Sequence, residues 1–153
     1  MNVLNQLLVI AVISLTFATA TYVTKGPPNR FLRCDPATLK PDEVCLESVS
    51  AIADVLWVDA RKRSEWQESG VPGSVLWNLD GAEDMQAFEA NVAVRAAVSP
   101  HVLVYCGDEN CGVSRQIAER IRKLDLGVKV SVLHGGWRAL SEAGRVKGSS
   151  PKP

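Results

Sequence analysis

The sequence has little of what a zinc site or a nucleic-acid-binding face requires. Its 153 residues include only two histidines, His101 and His134, and four cysteines, and their spacing fits no zinc-ligand pattern. The 17 basic residues are balanced by 17 acidic ones and lie scattered among them. Because binding to phosphates needs a basic face, nothing indicates a nucleic-acid partner. We predict one folded domain that needs no metal and no other cofactor.

Charge is also absent from residues 3–23, which contain the strongly apolar run from Leu7 to Leu15. Such a segment is about long enough to cross a bilayer as one helix. Residues 1–24 are therefore predicted to be a membrane anchor or a secretory signal peptide cut after Ala20. An ordinary signal peptide carries a positive charge before its apolar run, and none is present here. We therefore expect a single-pass anchor, with the membrane contacted through residues 3–23.

Residues 25–45 form a proline-rich linker without a helical or strand period. Its basic residues follow the apolar run, which favours a cytoplasmic domain by the positive-inside rule. Cys34 and Cys45 favour the other side, because a disulfide between them would suit an oxidising compartment. Two unpaired thiols are an equal alternative. On balance we slightly favour a domain on the exported, periplasmic side.

Short runs rich in Val and Leu alternate with helical patterns in the rest of the chain. The predicted strands are 55–59, 75–79, 102–105 and 128–133. A short helix is expected within 46–52, and Met85 to Ala96 has the spacing of an amphipathic helix. This alternation predicts a central parallel sheet with helices on both faces. We place this α/β domain at residues 46–145, followed by a disordered tail at 146–153.

One of these apolar runs stops at Cys106, and the apolar period of a helix resumes at Val113. Sites in parallel sheets form at the carboxyl ends of the strands, and the first amides of a helix favour a negative charge. A thiolate is such a charge and is the reactive form of cysteine. We predict sulfur chemistry at Cys106 rather than a small core residue, which is what most free cysteines are. The predicted substrate-binding residues are Gly107, Asp108, Glu109, Asn110, Gly112 and Arg115.

Five segments, in order, resemble the single-domain rhodanese-like proteins. They are Val55 to Arg61, Ser64-Glu65-Trp66, Val71-Pro72-Gly73-Ser74 followed by Asn78, the Cys106 loop, and Leu133-His134-Gly135-Gly136-Trp137. The resemblance implies a rhodanese-like three-layer fold and a sulfurtransferase that passes a sulfane sulfur through a persulfide on Cys106. It implies a small sulfur donor and a thiol or other nucleophilic acceptor. It also implies that Asp59 orders a turn and that Arg61 pairs with carboxylates.

The loop departs from this family in two ways. Cys111 stands where relatives often have an arginine, and the first basic residue is Arg115. Asp108 and Glu109 should disfavour a thiolate and repel an anionic donor, which counts against thiosulfate. We predict Cys111 as a resolving thiol that attacks the persulfide and leaves a disulfide with Cys106. The alternative for Cys111 is a packing role at the start of the helix.

Two other functions remain open on the sequence. The first is a dithiol reductase, or an enzyme like the arsenate reductases and phosphatases, that uses Cys106 and Cys111. The second is a non-catalytic rhodanese-like binding module. His134 is expected at the same sheet edge as Cys106, with a structural role favoured over a Cys-His pair, and Ser114 is expected to cap the following helix. The sequence does not specify the oligomeric state.

Overall fold

The protein is described here from a computed structural model over residues 3–25, 34–49, 54–107 and 112–148. The chain divides into two compact units, residues 1–32 and residues 33–153. The first unit contains helix α1 (Val3–Lys25). The predicted N-terminal helix is therefore confirmed. The structure does not support the expected membrane span at residues 3–23, because no helix in the described part of the chain is both long and apolar enough to cross a bilayer.

The second unit is built on a five-stranded sheet. Its strands are β1 (Glu43–Val44), β2 (Val55–Asp59), β3 (Val75–Leu76), β4 (His101–Tyr105) and β5 (Lys129–Leu133). They lie in the order β1-β5-β4-β2-β3, and every neighbouring pair is parallel. The predicted parallel sheet is therefore confirmed. Strand β1 was not expected, because two residues are too few to give residues 25–45 a strand period.

Helices follow or precede each strand. They are α2 (Leu46–Val49), α3 (Arg63–Ser69), α4 (Met85–Ala96), α5 (Gly112–Lys123) and α6 (Gly136–Glu142), with a 3₁₀ turn at Pro36–Thr38. Asp84 caps α4 by accepting a hydrogen bond from the amide of Ala87. Ser114 is the third residue of α5 and is buried. The expectation that Ser114 caps this helix is therefore wrong, since the helix is already formed at Gly112.

Strand β4 separates the two layers of the core, because successive side chains of a strand point to opposite faces. Val102 and Val104 pack in a cluster with α4 and α5, while Leu103 and Tyr105 pack in a second cluster with α2 and α6. All five residues of β4 are buried. A strand covered on both faces must be apolar almost throughout, which explains why β4 could be predicted from the sequence.

Two features close the domain at its ends. Cys34 and Cys45 form a disulfide with a Cα–Cα distance of 5.6 Å, and Cys45 directly follows β1. At the other end, Val146 is buried and the amide of Lys147 donates to the carbonyl of Gly70 at 3.1 Å. The packed part of the chain therefore reaches Lys147, and residues 149–153 lie outside the described residues.

Candidate functional site

Cys106 directly follows the last residue of β4, at the carboxyl edge of the sheet. The chain passes from β2 outward to β3 on one side and from β4 outward to β5 on the other. Cys106 thus lies where the direction of winding reverses, the position at which open parallel sheets form their binding crevices. The residue is 4% exposed and belongs to the apolar cluster beneath α4 and α5. It carries a thiol rather than a disulfide.

The backbone around Cys106 is fixed from two directions. The amide of Trp137, in the first turn of α6, donates to the carbonyl of Cys106 at 2.7 Å. The indole N–H of Trp137 donates to the carbonyl of Ser69 at 2.8 Å. Gly107 lies against the side chain of Arg61, since a Cβ at Gly107 would be 3.5 Å from Arg61 Cδ. The position of the thiol is therefore set by contacts with α6 and with the turn after β2.

We call Asp59 and Arg61 the inner pair. Arg61 Nη2 lies 2.8 Å from Asp59 Oδ2, and its backbone amide donates to Asp59 Oδ1 at 2.9 Å. The side chains are 3% and 0% exposed. The same guanidinium also donates to the hydroxyl and carbonyl of Ser69 and to the carbonyl of Glu65. The expected roles of Asp59 in a turn and of Arg61 in an ion pair are confirmed.

The inner pair reaches Cys106 through Tyr105, its chain neighbour. The Tyr105 hydroxyl donates to Asp59 Oδ2 at 2.7 Å and accepts from the amide of Val71 at 3.0 Å. Burial raises the pKa of Tyr105, and the negative charge of Asp59 raises it further. Burial tends to lower the pKa of Arg61, but its hydrogen bond to Asp59 and the charge of that carboxylate outweigh this effect and raise it. The network therefore contains a neutral phenol and a firmly charged guanidinium.

We call Glu43 and Arg115 the outer pair. Arg115 Nη1 lies 2.9 Å from Glu43 Oε1, and His134 Nδ1 lies 3.4 Å from Glu43 Oε2. The Glu43 side chain is 6% exposed and the Arg115 side chain 34%. One buried carboxylate therefore contacts two basic side chains at the edge of the sheet. Sequence reasoning missed Glu43 because it lies in the segment predicted to be linker, and its two-residue strand leaves no periodic signal.

The structure describes some of the predicted site residues and not others. Cys106 and Gly107 end the described segment before the loop, and Gly112 begins α5 after it. Arg115 is the fourth residue of α5, and its guanidinium contacts a carboxylate. The predicted residues that lie outside the described part of the chain are Asp108, Glu109, Asn110 and Cys111. The proposed contact between Cys111 and Cys106 therefore remains a prediction.

The two histidines occupy opposite ends of the sheet. His134 follows β5 at the carboxyl edge, as expected, whereas His101 begins β4 and lies 3.0 Å from the hydroxyl of Ser131. Burial lowers the pKa of His101, and the charge of Lys129 lowers it further. Within the ranges that the structure describes, no group of three or more His, Cys, Asp or Glu side chains could hold a metal ion.

Several solved structures are similar to the chain, and two of them are described here. One is the N-terminal domain of a protein named as a candidate ATP/GTP binding protein from Clostridium difficile 630, with 19% identity, a TM-score of 0.49, and coverage of 63% of this chain and 93% of that one. The other is the BH2092 protein from Bacillus halodurans, with 22% identity, a TM-score of 0.48, and coverage of 70% and 77%.

A comparison with curated proteins finds no match. The family model of the rhodanese-like domain matches residues 46–143, which include β2 to β5 and the Cys106 loop. The chain therefore belongs to the rhodanese-like domain family.

Proposed function

We propose that this domain is a sulfurtransferase that carries a sulfane sulfur as a persulfide on Cys106. The observation that supports it most is the position of this thiol in a rhodanese-like domain. It lies at the carboxyl end of the central strand, where the winding of the sheet reverses, and helix α5 begins six residues later. The first amides of α5 have no partner within the helix and favour a negative charge placed before them.

The reaction takes place in two displacements. In the first, the Cys106 thiolate attacks the outer sulfur of the donor, and the donor's sulfur bond breaks with its electron pair on the leaving group. In the second, an acceptor thiolate attacks the outer sulfur of the persulfide, which returns the Cys106 thiolate and leaves the sulfur on the acceptor. No net oxidation occurs. The domain therefore needs a small sulfur donor and a thiol acceptor, and no external oxidant or reductant.

Intact mass spectrometry of the purified protein after exposure to a sulfane donor tests this proposal. We expect a mass gain of one sulfur atom, which a thiol acceptor then removes. The Cys106→Ser variant, nearly isosteric, should show neither the gain nor any turnover while keeping the fold. Turnover retained in that variant would contradict the assignment of Cys106.

A matched variant at Cys111 separates the two enzymatic alternatives. Under the sulfurtransferase proposal, Cys111→Ala still gains sulfur at Cys106 and still passes it to an added thiol. If Cys111 also resolves the persulfide, the parent protein without added thiol should lose sulfide and gain an internal disulfide, whereas Cys111→Ala should keep the persulfide. A dithiol reductase would instead lose all activity in either variant and would take up no sulfur.

A non-catalytic binding module is the second candidate, and the burial of Cys106 favours it. The residue is 4% exposed and packs with core side chains, as a structural cysteine does. Such a module should gain no sulfur from any donor, and Cys106 should react with iodoacetamide no faster than an ordinary thiol at neutral pH. Rapid alkylation together with sulfur uptake would exclude this candidate.

We also propose that the domain works in an oxidising compartment, on the exported side of a membrane. The disulfide between Cys34 and Cys45 supports this location, since disulfides persist where thiols are not kept reduced. Blocking free thiols at the moment of extraction from the native host, followed by peptide mapping, tests it. We expect Cys34 and Cys45 to be protected from the blocking reagent, and full labelling of both would contradict the proposal.

A further inference from the structure

We propose that Glu43 determines donor specificity at Cys106 by pairing with Arg115 on the same face of the sheet as the thiol, so that the site disfavours the thiosulfate dianion and accepts a less charged donor such as an organic hydropersulfide. This inference rests on the proposed sulfurtransferase function. Glu43 does not itself react. It acts through Arg115 and His134, and it is therefore a positioning residue.

The contacts of Glu43 use both of its carboxylate oxygens. Oε1 accepts from Arg115 Nη1 at 2.9 Å, and Oε2 lies 3.4 Å from His134 Nδ1 and accepts from the amide of Lys40 at 3.3 Å. A carboxylate this buried interacts through a medium of lower dielectric than water and is screened less by salt. The two basic side chains therefore face a firmly placed negative charge.

The sheet register puts this cluster beside Cys106. Val104 pairs with Val132, and Val132 pairs with Glu43, so the three residues share one level of neighbouring strands. Cys106 and His134 each lie two residues beyond this level, just after the ends of β4 and β5. With a strand spacing of about 4.8 Å and a rise of about 3.3 Å per residue, the backbone of Glu43 lies roughly 10–12 Å from that of Cys106.

Glu43 also lies on the same face of the sheet as the thiol. Val104, Val132 and Cys106 belong to the cluster packed beneath α5, and Glu43 contacts Arg115 of that helix. Arg115 is in the first turn of α5, the helix whose amino end follows the Cys106 loop. An incoming anion would thus meet Arg115 already paired with a carboxylate.

The disulfide keeps this carboxylate in place. Glu43 belongs to a two-residue edge strand that pairs with β5 at one side, and Cys45 ties the end of that strand to Cys34. Such a short strand has few hydrogen bonds of its own. A covalent link next to it restricts the unfolded chain and so favours the folded state, in which Glu43 contacts Arg115 and His134.

Alkylation of Cys106 by iodoacetate, which is anionic, and by iodoacetamide, which is neutral, tests the proposal without requiring sulfur transfer. The rate of alkylation by iodoacetate divided by the rate of alkylation by iodoacetamide, determined at Cys106 by tandem mass spectrometry, measures the electrostatic potential at the thiol. We expect Glu43→Gln to raise this ratio by about threefold to tenfold at low ionic strength, with a smaller rise in added salt. A merely structural role would change both rates together and leave the ratio unaltered.

Asp42→Asn is the matched control. Asp42 is the chain neighbour of Glu43 and forms its own ion pair with Arg122 at 3.2 Å, but its side chain is 60% exposed. Its backbone has a positive φ of 66°, which Asn tolerates. We expect the alkylation ratio to stay within about twofold of that of the parent protein, because an exposed charge is screened. An equal rise in Asp42→Asn and Glu43→Gln would overturn the proposal.

Arg115→Gln provides a second test that does not depend on the folding of Glu43→Gln. Removing this positive charge should lower the ratio, which is the opposite of the effect of Glu43→Gln. In turnover, Glu43→Gln should raise kcat/KM for thiosulfate mainly through a lower KM, while kcat/KM for an organic hydropersulfide, which carries at most one negative charge on its sulfur atoms, changes much less. An unaltered alkylation ratio in both variants would overturn the role of Glu43, whereas a parent protein that takes up no sulfur would overturn the proposed function alone.

Discussion

Two carboxylate–guanidinium pairs flank Cys106 at one edge of the sheet, and they differ in almost every physical respect. The inner pair, Asp59 and Arg61, joins residues two apart, and both side chains are at most 3% exposed. The outer pair, Glu43 and Arg115, joins residues 72 apart and leaves the arginine 34% exposed. The first is built by one turn of chain, and the second requires the whole domain to have folded.

This difference gives the two pairs different roles: the inner pair supports the fold, and the outer pair affects which donor approaches Cys106. Arg61 donates to Asp59 and also to Ser69 and Glu65, and its charge is surrounded by protein. It therefore fixes the turn beside Cys106 and has little capacity to bind a donor. Arg115 is partly open to solvent, so its charge remains able to influence an approaching anion. The inner pair should matter to stability, and the outer pair to the choice of donor.

The largest expected effect is on stability and belongs to the inner pair. Asp59→Asn leaves Arg61 buried without its carboxylate, which costs about 3–5 kcal/mol. Urea denaturation should show this loss in the free energy of unfolding. Glu43→Gln should cost clearly less, because Arg115 can be hydrated at the surface.

Tyr105→Phe is the internal control for this comparison. It removes the hydrogen bond to Asp59 and leaves the amide of Val71 without its phenol acceptor, so we expect a loss of about 1–3 kcal/mol. Equal losses in Asp59→Asn and Glu43→Gln would show that the two pairs do not differ as described.

The second prediction concerns the disulfide that adjoins the outer pair. Replacing Cys34 and Cys45 with Ser together should lower the free energy of unfolding by about 2–4 kcal/mol, since the cross-link restricts the unfolded chain. The local effect should be confined to one side of the site. Amide exchange should accelerate at Val132 and His134, whose amides donate to Asp42 and Val44.

An amide next to the inner pair provides the reference for the amide-exchange measurement. The amide of Ala60 donates to the carbonyl of Tyr105 at 2.8 Å, in the centre of the sheet, and its exchange should change only as far as global stability does. Uniform acceleration at Ala60, Val132 and His134 beyond the global change would mean that the disulfide does not act locally on β1.

The same contrast explains how much the sequence could reveal. The inner pair lies in one short segment with a strand before it, and the resemblance of that segment to the rhodanese-like proteins implied the roles of both residues. The run from His101 to Tyr105 was legible because a central strand is covered on both faces. The outer pair depends on the register of β1 with β5 and on the position of α5, which no local pattern encodes.

The bounds of strands and helices were predicted less well, because they also depend on how distant parts of the chain pack together. The apolar run at 75–79 contains a strand of only two residues, and Trp77 and Asn78, which follow it, are buried as well. Ser114 has the residue type of a helix cap but lies inside α5. In both cases tertiary packing decided the outcome, and burial alone did not distinguish strand from coil.

The smallest predicted effect lies at the opposite end of β4 and tests whether pH acts far from the site. Burial lowers the pKa of His101 in the folded protein, and Lys129 adds to this, while the unfolded chain keeps a value of about 6.5. As pH falls below that value, the unfolded state binds a proton that the folded state resists, so stability decreases. The contribution of His101 to the free energy of unfolding is fully present above its pKa in the unfolded chain. It is lost as pH falls through its pKa in the folded protein.

His101→Gln should remove this part of the pH dependence while retaining a polar contact with Ser131. The measurement is the free energy of unfolding of parent and variant between about pH 7.5 and 5, where the slope of the parent should exceed that of the variant. Parallel curves would contradict a depressed pKa at His101. The alkylation ratio at Cys106 should be the same in both proteins, because His101 lies at the amino end of the strand that carries Cys106 at its carboxyl end. A change in that ratio would show that a group at the amino end of β4 also affects the electrostatic potential at the thiol. The inner and outer pairs at the carboxyl edge would then not be enough to explain that potential.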